Sequence, residues 1–93
     1  MKNPDRNIVA RLEDLPNIGK SLAGRLHLVG INKPSDLIGE NAVVLYKNLC
    51  VLTQERQDPC VLDTFISVIH FMEGGDPLPW WAFTAERKKK NVT

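Results

Sequence analysis

Gly19, Lys20 and Ser21 are the residues of this chain whose order most suggests chemistry on a phosphate. In a P-loop, the lysine reaches a nucleotide's phosphates and the hydroxyl its magnesium ion. That loop also needs a glycine five positions earlier and a strand in front of it. Position 14 is Asp14, and no strand is expected there. The nucleotide reading falls. A simpler device suits the same residues. LPNIG, Leu15 to Gly19, interrupts helix at Pro16 and Gly19, yet carries apolar Leu15 and Ile18 where a loop would be polar. These residues suit a very tight turn fastened by inward-facing apolar residues, between a short helix and the helix directly after it. Asn17 and Gly19 tolerate the backbone angles such a turn demands, and Ala23 and Gly24 are small enough for close helix approach. The helix then begins with several unpaired amides, which with the positive end of its dipole make an anion site. Lys20 sits beside those amides, and Arg25 is in reach.

Other chemistry-bearing residues each have two readings. Cys60 is expected as the second residue of a helix, where the dipole and free amides lower a thiol's pKa. It reads either as a reactive thiol or as a small apolar residue packed under the hairpin. Cys50, between Leu49 and Val51, reads as core. A metal site needs three or four convergent ligands, and His27, His70, Cys50 and Cys60 show neither CxxC nor HxxxH spacing, so no metal or cofactor is expected. Trp80 and Trp81 are adjacent, so one ring faces the core, and the segment reads either as a seal over the open end of the helical domain or as a ring offered to a base or a protein partner. Lys88, Lys89 and Lys90 add either attraction to DNA or a solvated tail. There is no Ser-His-Asp set and no paired carboxylates, so no enzyme is expected.

The elements that must position these residues are helical. A short helix is expected over Asn7–Asp14, with Ile8, Leu12 and Leu15 at helical spacing. A second runs over Lys20–Val29, with Gly30 as a left-handed cap. Pro34-Ser35-Asp36 suggests a short turn of helix. A third long helix covers Asn41–Gln54 and aligns Ala42, Leu45, Leu49 and Leu52. Asp58-Pro59 is the clearest helix start in the chain, a side-chain acceptor followed by a proline where no amide is missed. Leu62, Phe65, Ile66, Ile69 and Met72 then form the broad face of the central helix, which Gly74-Gly75 ends. PLPWWAFTAERKKK makes a final short helix or tail. The fold class is all-α, one compact five-helix domain over 1–93, with residues 1–6 and 88–93 flexible.

The 93 residues, 43% hydrophobic and 25% charged, suit one modest soluble domain. No stretch approaches a membrane span. The N-terminal residues lack a signal-peptide core, which predicts a cytoplasmic protein with reduced thiols. Residues 1–48 carry seven Lys/Arg against five Asp/Glu, residues 49–86 carry Arg56 against six acids, and Arg87 to Lys90 are all basic. Any phosphate site is therefore local and lies in the first half.

LPNIGKSLA resembles the hairpin motif of the helix-hairpin-helix family, LPGIGxxxA, with Asn17 where that family most often has glycine. The resemblance implies a compact α-helical (SAM-like) fold that touches a DNA phosphate without reading sequence. On it, Ile18 is the buried anchor, and Asn17, Gly19, Lys20 and Ser21 face the phosphate. GINKPSDL and the helix after it look like the C-terminal five-helix domain of TfoX-type competence regulators. DPCVLDTFISVIHFMEGG with LPWWAF is closer still to the small bacterial "pathogenicity locus" family, over about residues 11 to 87. Some members of that family are called mitomycin-resistance proteins. The resemblance implies a DNA-binding accessory role tied to DNA repair, DNA uptake or mitomycin resistance. The alternative is a protein-binding adaptor that uses the acidic second half and Trp80-Trp81. Duplex DNA, bound weakly, or a protein is the expected partner, with a homodimer as one route to useful affinity.

Overall fold

Asp58 and Pro59 open the longest element of the computed structural model, which describes residues 5–89. The Asp58 carboxylate accepts the Cys60 amide at 3.1 Å, and helix α3 runs from there over Pro59–Met72. Every residue from Val61 to Ile69 is buried, so α3 is the axis around which the rest packs. The other helices are α1 (Lys20–Leu28), α2 (Ala42–Thr53) and α4 (Thr84–Lys89). Short 3-10 turns at Leu12–Asp14, Pro34–Leu37 and Trp80–Phe83 link them, and no strand occurs among the described residues.

Among the described residues, four α-helices and three 3-10 turns stand where five helices are expected, and the difference lies mainly at the start. Asn7–Asp14 is not a helix. The Asp14 carboxylate takes the amides of Ala10 and Arg11 at 3.2 and 3.0 Å, which opens a 3-10 turn there. Side-chain capping of this kind competes with helix for the same donors. The ends of the chain expected to be flexible divide in two. Residues 1–4 and 90–93 lie outside the described residues. Arg6 is inside and held, donating to the carbonyls of Phe71 at 2.8 Å and Gly75 at 2.5 Å, with its guanidinium over the Phe71 ring. It supplies the positive charge that the C-terminus of α3 favours.

Helix α1 stops as its sequence implies. Gly30 takes φ 90°, its amide reaches the His27 carbonyl, and the Ile31 amide reaches Leu26 at 3.0 Å. This pair of bonds closes the helix and drops Ile31 into the core beside Leu26. Asn41 caps α2, its side-chain oxygen accepting the amides of Val43 and Val44. A β-carbon at Gly75 would lie 2.1 Å from His70 Nε2, so the His70 imidazole lies over a bare glycine.

Leu15, Ile18, Leu26, Leu49, Leu62, Phe65 and Ile69 are buried together, as their spacing implies. Truncating one of the leucines to alanine in such a core costs about 2–5 kcal/mol. Leu52 departs from expectation. It lies on the outward arc of α2 with Val44 and Val51, all three exposed. The inward face is made by Leu45, Tyr46 and Leu49.

The last two elements are fastened to α3 by a polar bracket. Asp63, buried in mid-helix, accepts Thr84 Oγ1 at 2.9 Å and Arg87 Nε at 2.8 Å. Removing one side of a buried ion pair strands the other charge and costs about 3–5 kcal/mol. Phe83, just before Thr84, packs into the core and meets His70 edge-on. Lys88 and Lys89 are exposed at the end of α4. No helix among the described residues is long and apolar enough to cross a membrane.

Candidate nucleic-acid interface

The turn ahead of α1 is built by Pro16 and Asn17. Pro16 supplies a fixed φ, Asn17 takes the left-handed φ of 68°, and the Ile18 amide closes back on the Leu15 carbonyl at 3.3 Å. Pro followed by a residue at positive φ is the signature of a type II turn, and asparagine tolerates that angle better than most side chains. Leu15, Pro16 and Ile18 are all buried, so the apolar residues of LPNIG anchor the turn from below.

Asn17 does more than turn the chain. Its Nδ2 donates to Ser67 Oγ on α3 at 3.2 Å and to the Leu78 carbonyl at 2.8 Å. Its side chain thus ties the turn to α3 and to the loop before the tryptophans. The amide expected to face a phosphate therefore donates within the fold.

Gly19 is the N-cap of α1 and is extended, at φ −99° and ψ −173°, a backbone that any residue adopts. A β-carbon at Gly19 would meet nothing within 4 Å. The left-handed angle expected of Gly19 is taken by Asn17 alone. What Gly19 does is leave the start of α1 bare. No side chain caps α1, and its first turn holds no acidic residue. The amides of Lys20, Ser21 and Leu22 precede the first intrahelical bond, from Ala23 to the Gly19 carbonyl at 3.0 Å. With the helix dipole behind them, they favour an anion.

Lys20 and Ser21 are exposed beside these amides, and Arg25 stands one turn along. Arg25 is held in place. Its Nη1 donates to Ser21 Oγ at 2.6 Å and its Nε to Gln57 Oε1 at 3.2 Å. Gln57 is buried and fixed in turn by Thr53 and Glu55, while its carbonyl accepts the Tyr46 hydroxyl. A guanidinium positioned by neutral partners keeps its charge available and loses less freedom when it meets an anion. Of the residues at this site, Gly24 contributes least to packing. It is exposed with open space around it, and Ala23 is the one that is buried.

Asn17 and Gln57 act through bonds to residues far away in the chain. The partners of Asn17 lie 50 and 61 positions on, and Arg25 meets Gln57 32 positions on. No local pattern marks either residue.

Cys60 does sit at the start of a helix, but its surroundings oppose a low pKa. Burial pushes the thiol up, the hydrogen bond and charge of Asp58 push it further, and the charge of Asp63 adds to both. The helix-start amide works the other way and is outweighed. Asp58 has taken that amide for itself, and the bond holds its carboxyl below the ordinary range. Cys60 is half-buried and unactivated. Trp81 is the exposed tryptophan, at 63%, and Trp80 is half-buried under it with the rings edge to face at 5.6 Å. Through the Asn17–Leu78 bond this aromatic pair lies next to the hairpin.

A family model described as "Pathogenicity locus" matches residues 5–89. The chain is 37% identical over 78 residues to the mitomycin resistance protein McrB of Streptomyces lavendulae, which covers 84% of this chain and 74% of that protein. No solved structure matches.

Proposed function

We propose a function from the premise that the chain belongs to the pathogenicity locus family. It is an accessory protein that grips the backbone of duplex DNA without reading its bases, through a helix-hairpin-helix made by residues 12–28 in a SAM-like, TfoX-related domain. One observation carries the reading. Helix α1 opens on a bare glycine cap, with three unclaimed amides flanked by Lys20 and a pre-positioned Arg25. A phosphate oxygen is the ligand that such a set of donors suits. The chain works by binding and carries out no reaction. The Streptomyces relative's name supports a place in mitomycin resistance, and a DNA ligand goes with a cytoplasmic location.

One hairpin neutralises few phosphates, so affinity falls near the non-specific range of about 10⁻⁴–10⁻⁶ M and weakens as salt rises. The test is anisotropy of a random-sequence duplex at two salt concentrations. The parent chain binds, more weakly at high salt, and Lys20→Glu loses at least about tenfold while its melting temperature holds, because Lys20 is exposed. Equal binding by Lys20→Glu and the parent would make the hairpin a structural turn only. A second reading, a protein-interaction adaptor, then leads. It is favoured by the exposed Trp81 ring beside the exposed Leu78, the kind of aromatic anchor that protein interfaces use.

A further inference from the structure

Gln57 is a glutamine with nothing to spare. It lies in the loop between α2 and α3, just past the left-handed Gln54, and it is buried. Its backbone amide donates to Cys50 Sγ at 3.5 Å, and its carbonyl accepts the Tyr46 hydroxyl. Its side-chain nitrogen donates to Thr53 Oγ1 at 3.0 Å and to Glu55 Oε1 at 3.2 Å. That leaves Oε1, which accepts Arg25 Nε at 3.2 Å. A neutral, buried side chain brings no charge to a phosphate site. What it can do is decide where Arg25 points.

The carboxamide has one workable orientation. Turned over, its oxygen would face the Glu55 carboxylate, and its N–H groups would face a guanidinium that can only donate. Thr53 enforces the same choice. Its hydroxyl already donates to the Leu49 carbonyl at 2.8 Å, so toward Gln57 it is an acceptor. The oxygen aimed at Arg25 is thus set by the end of α2 and by the loop after it. From the other side, Arg25 Nη1 donates to Ser21 Oγ at 2.6 Å, one turn back along α1. These two bonds use two of the five guanidinium N–H groups. Three are left, and two of those are on Nη2.

We propose that Gln57 is the positioning residue of the phosphate site. With Ser21 it clamps Arg25 at two nitrogens, so that the guanidinium meets one phosphate with two N–H bonds beside the open amides of α1. The inference rests on the DNA-backbone reading and adds the mode of contact to it. Two parallel N–H bonds to one phosphate are stronger and more directional than the point charge of a lysine. An arginine already held by its neighbours gives up little freedom on binding, a difference of roughly two- to tenfold in affinity. Gln57 and Ser21 direct this contact to the backbone, so it raises affinity and leaves base preference unchanged.

A double-mutant cycle on duplex binding separates positioning from plain support of the fold. Gln57→Met keeps a similar shape and removes the acceptor, while Arg25→Lys keeps the charge and removes the fork. Each is expected to weaken binding by roughly two- to tenfold, and the two together by no more than Arg25→Lys alone. A glutamine that merely stabilised the loop would weaken binding by the same factor in either background. A second measurement needs neither variant nor DNA. Spin relaxation of the arginine Nε–H groups in the free chain is expected to find Arg25 ordered and Arg11, whose side chain is 73% exposed, mobile. Three results would each overturn the inference while the parent still binds duplex: an Arg25 as mobile as Arg11, parent-like binding by either single variant, or losses that multiply. A parent chain that binds no duplex would overturn the DNA reading and this inference with it.

Discussion

Asn17 performs two tasks that ask for different chemistry. Its backbone sits at positive φ, which glycine also accepts, while its carboxamide bonds Ser67 and Leu78, which glycine cannot do. Asn17→Gly therefore separates the two. We expect it to keep the turn and lose about 1–2 kcal/mol in a urea melt, from the two missing hydrogen bonds. A loss near zero would mean that the turn alone holds the hairpin in place. Cys60 permits a test of opposite kind. Its thiol is raised by burial and by Asp58, so less thiolate is present at neutral pH than in a free cysteine. Alkylation of Cys60 should run slower than that of a cysteine peptide at neutral pH, and should accelerate only above the ordinary thiol range. Asp58→Asn should quicken it, since the second cause of the shift is then gone. The sign for stability follows. Both states are neutral below the unfolded thiol's pKa, and folding loses stability as pH climbs past it toward the raised folded value.

At the level of elements, the ends of the helices were legible because their chemistry is local. Asn41, Asp58-Pro59 and Gly30 each satisfy or release donors within a few residues, and all three stand where a reader of the sequence would put a boundary. The buried face of α3 was equally plain, since apolar spacing alone sets it. The face of α2 was not. Its apolar residues surround the helix, and which of Leu49 and Leu52 turns inward depends on α3, not on α2. The first segment misled for a related reason: periodicity suggested helix where the Asp14 carboxylate claims the donors. The bare amides beside Lys20, on which the proposed phosphate contact rests, were legible in the sequence, whereas the fixing of Arg25 by Gln57 had no signature. Helix α1 gives the prediction proper to this scale. Gly19→Asp puts a carboxylate at a bare N-cap whose backbone is extended and whose surroundings are open. The variant should be as stable as the parent or more so by a few tenths of a kcal/mol, because the side chain now takes the free amides. Duplex binding should vanish with them. A Gly19→Asp chain that still binds DNA would place the contact elsewhere.

Across the molecule, charge is sorted by face. The start of α1 presents Lys20 and Arg25 with uncapped amides, while Glu40, Glu73 and Glu86 gather around a depression of about 280 Å³ floored by Ile69 and Phe83. A polyanion meets attraction at one and repulsion at the other, which orients its approach even though the net charge is only +1. The bond from Asn17 to the Leu78 carbonyl adds something that neither face has alone. It yokes the hairpin to a pair of indoles, one of them open to water, and the chain has no other tryptophan. Indole emission depends on its exposure and on nearby charge, so the protein carries its own optical gauge of what happens at the turn. Titrating unlabelled duplex into the parent chain should change the emission intensity or colour in step with binding. In Asn17→Gly, where the yoke is cut, the same occupancy should leave the signal nearly silent.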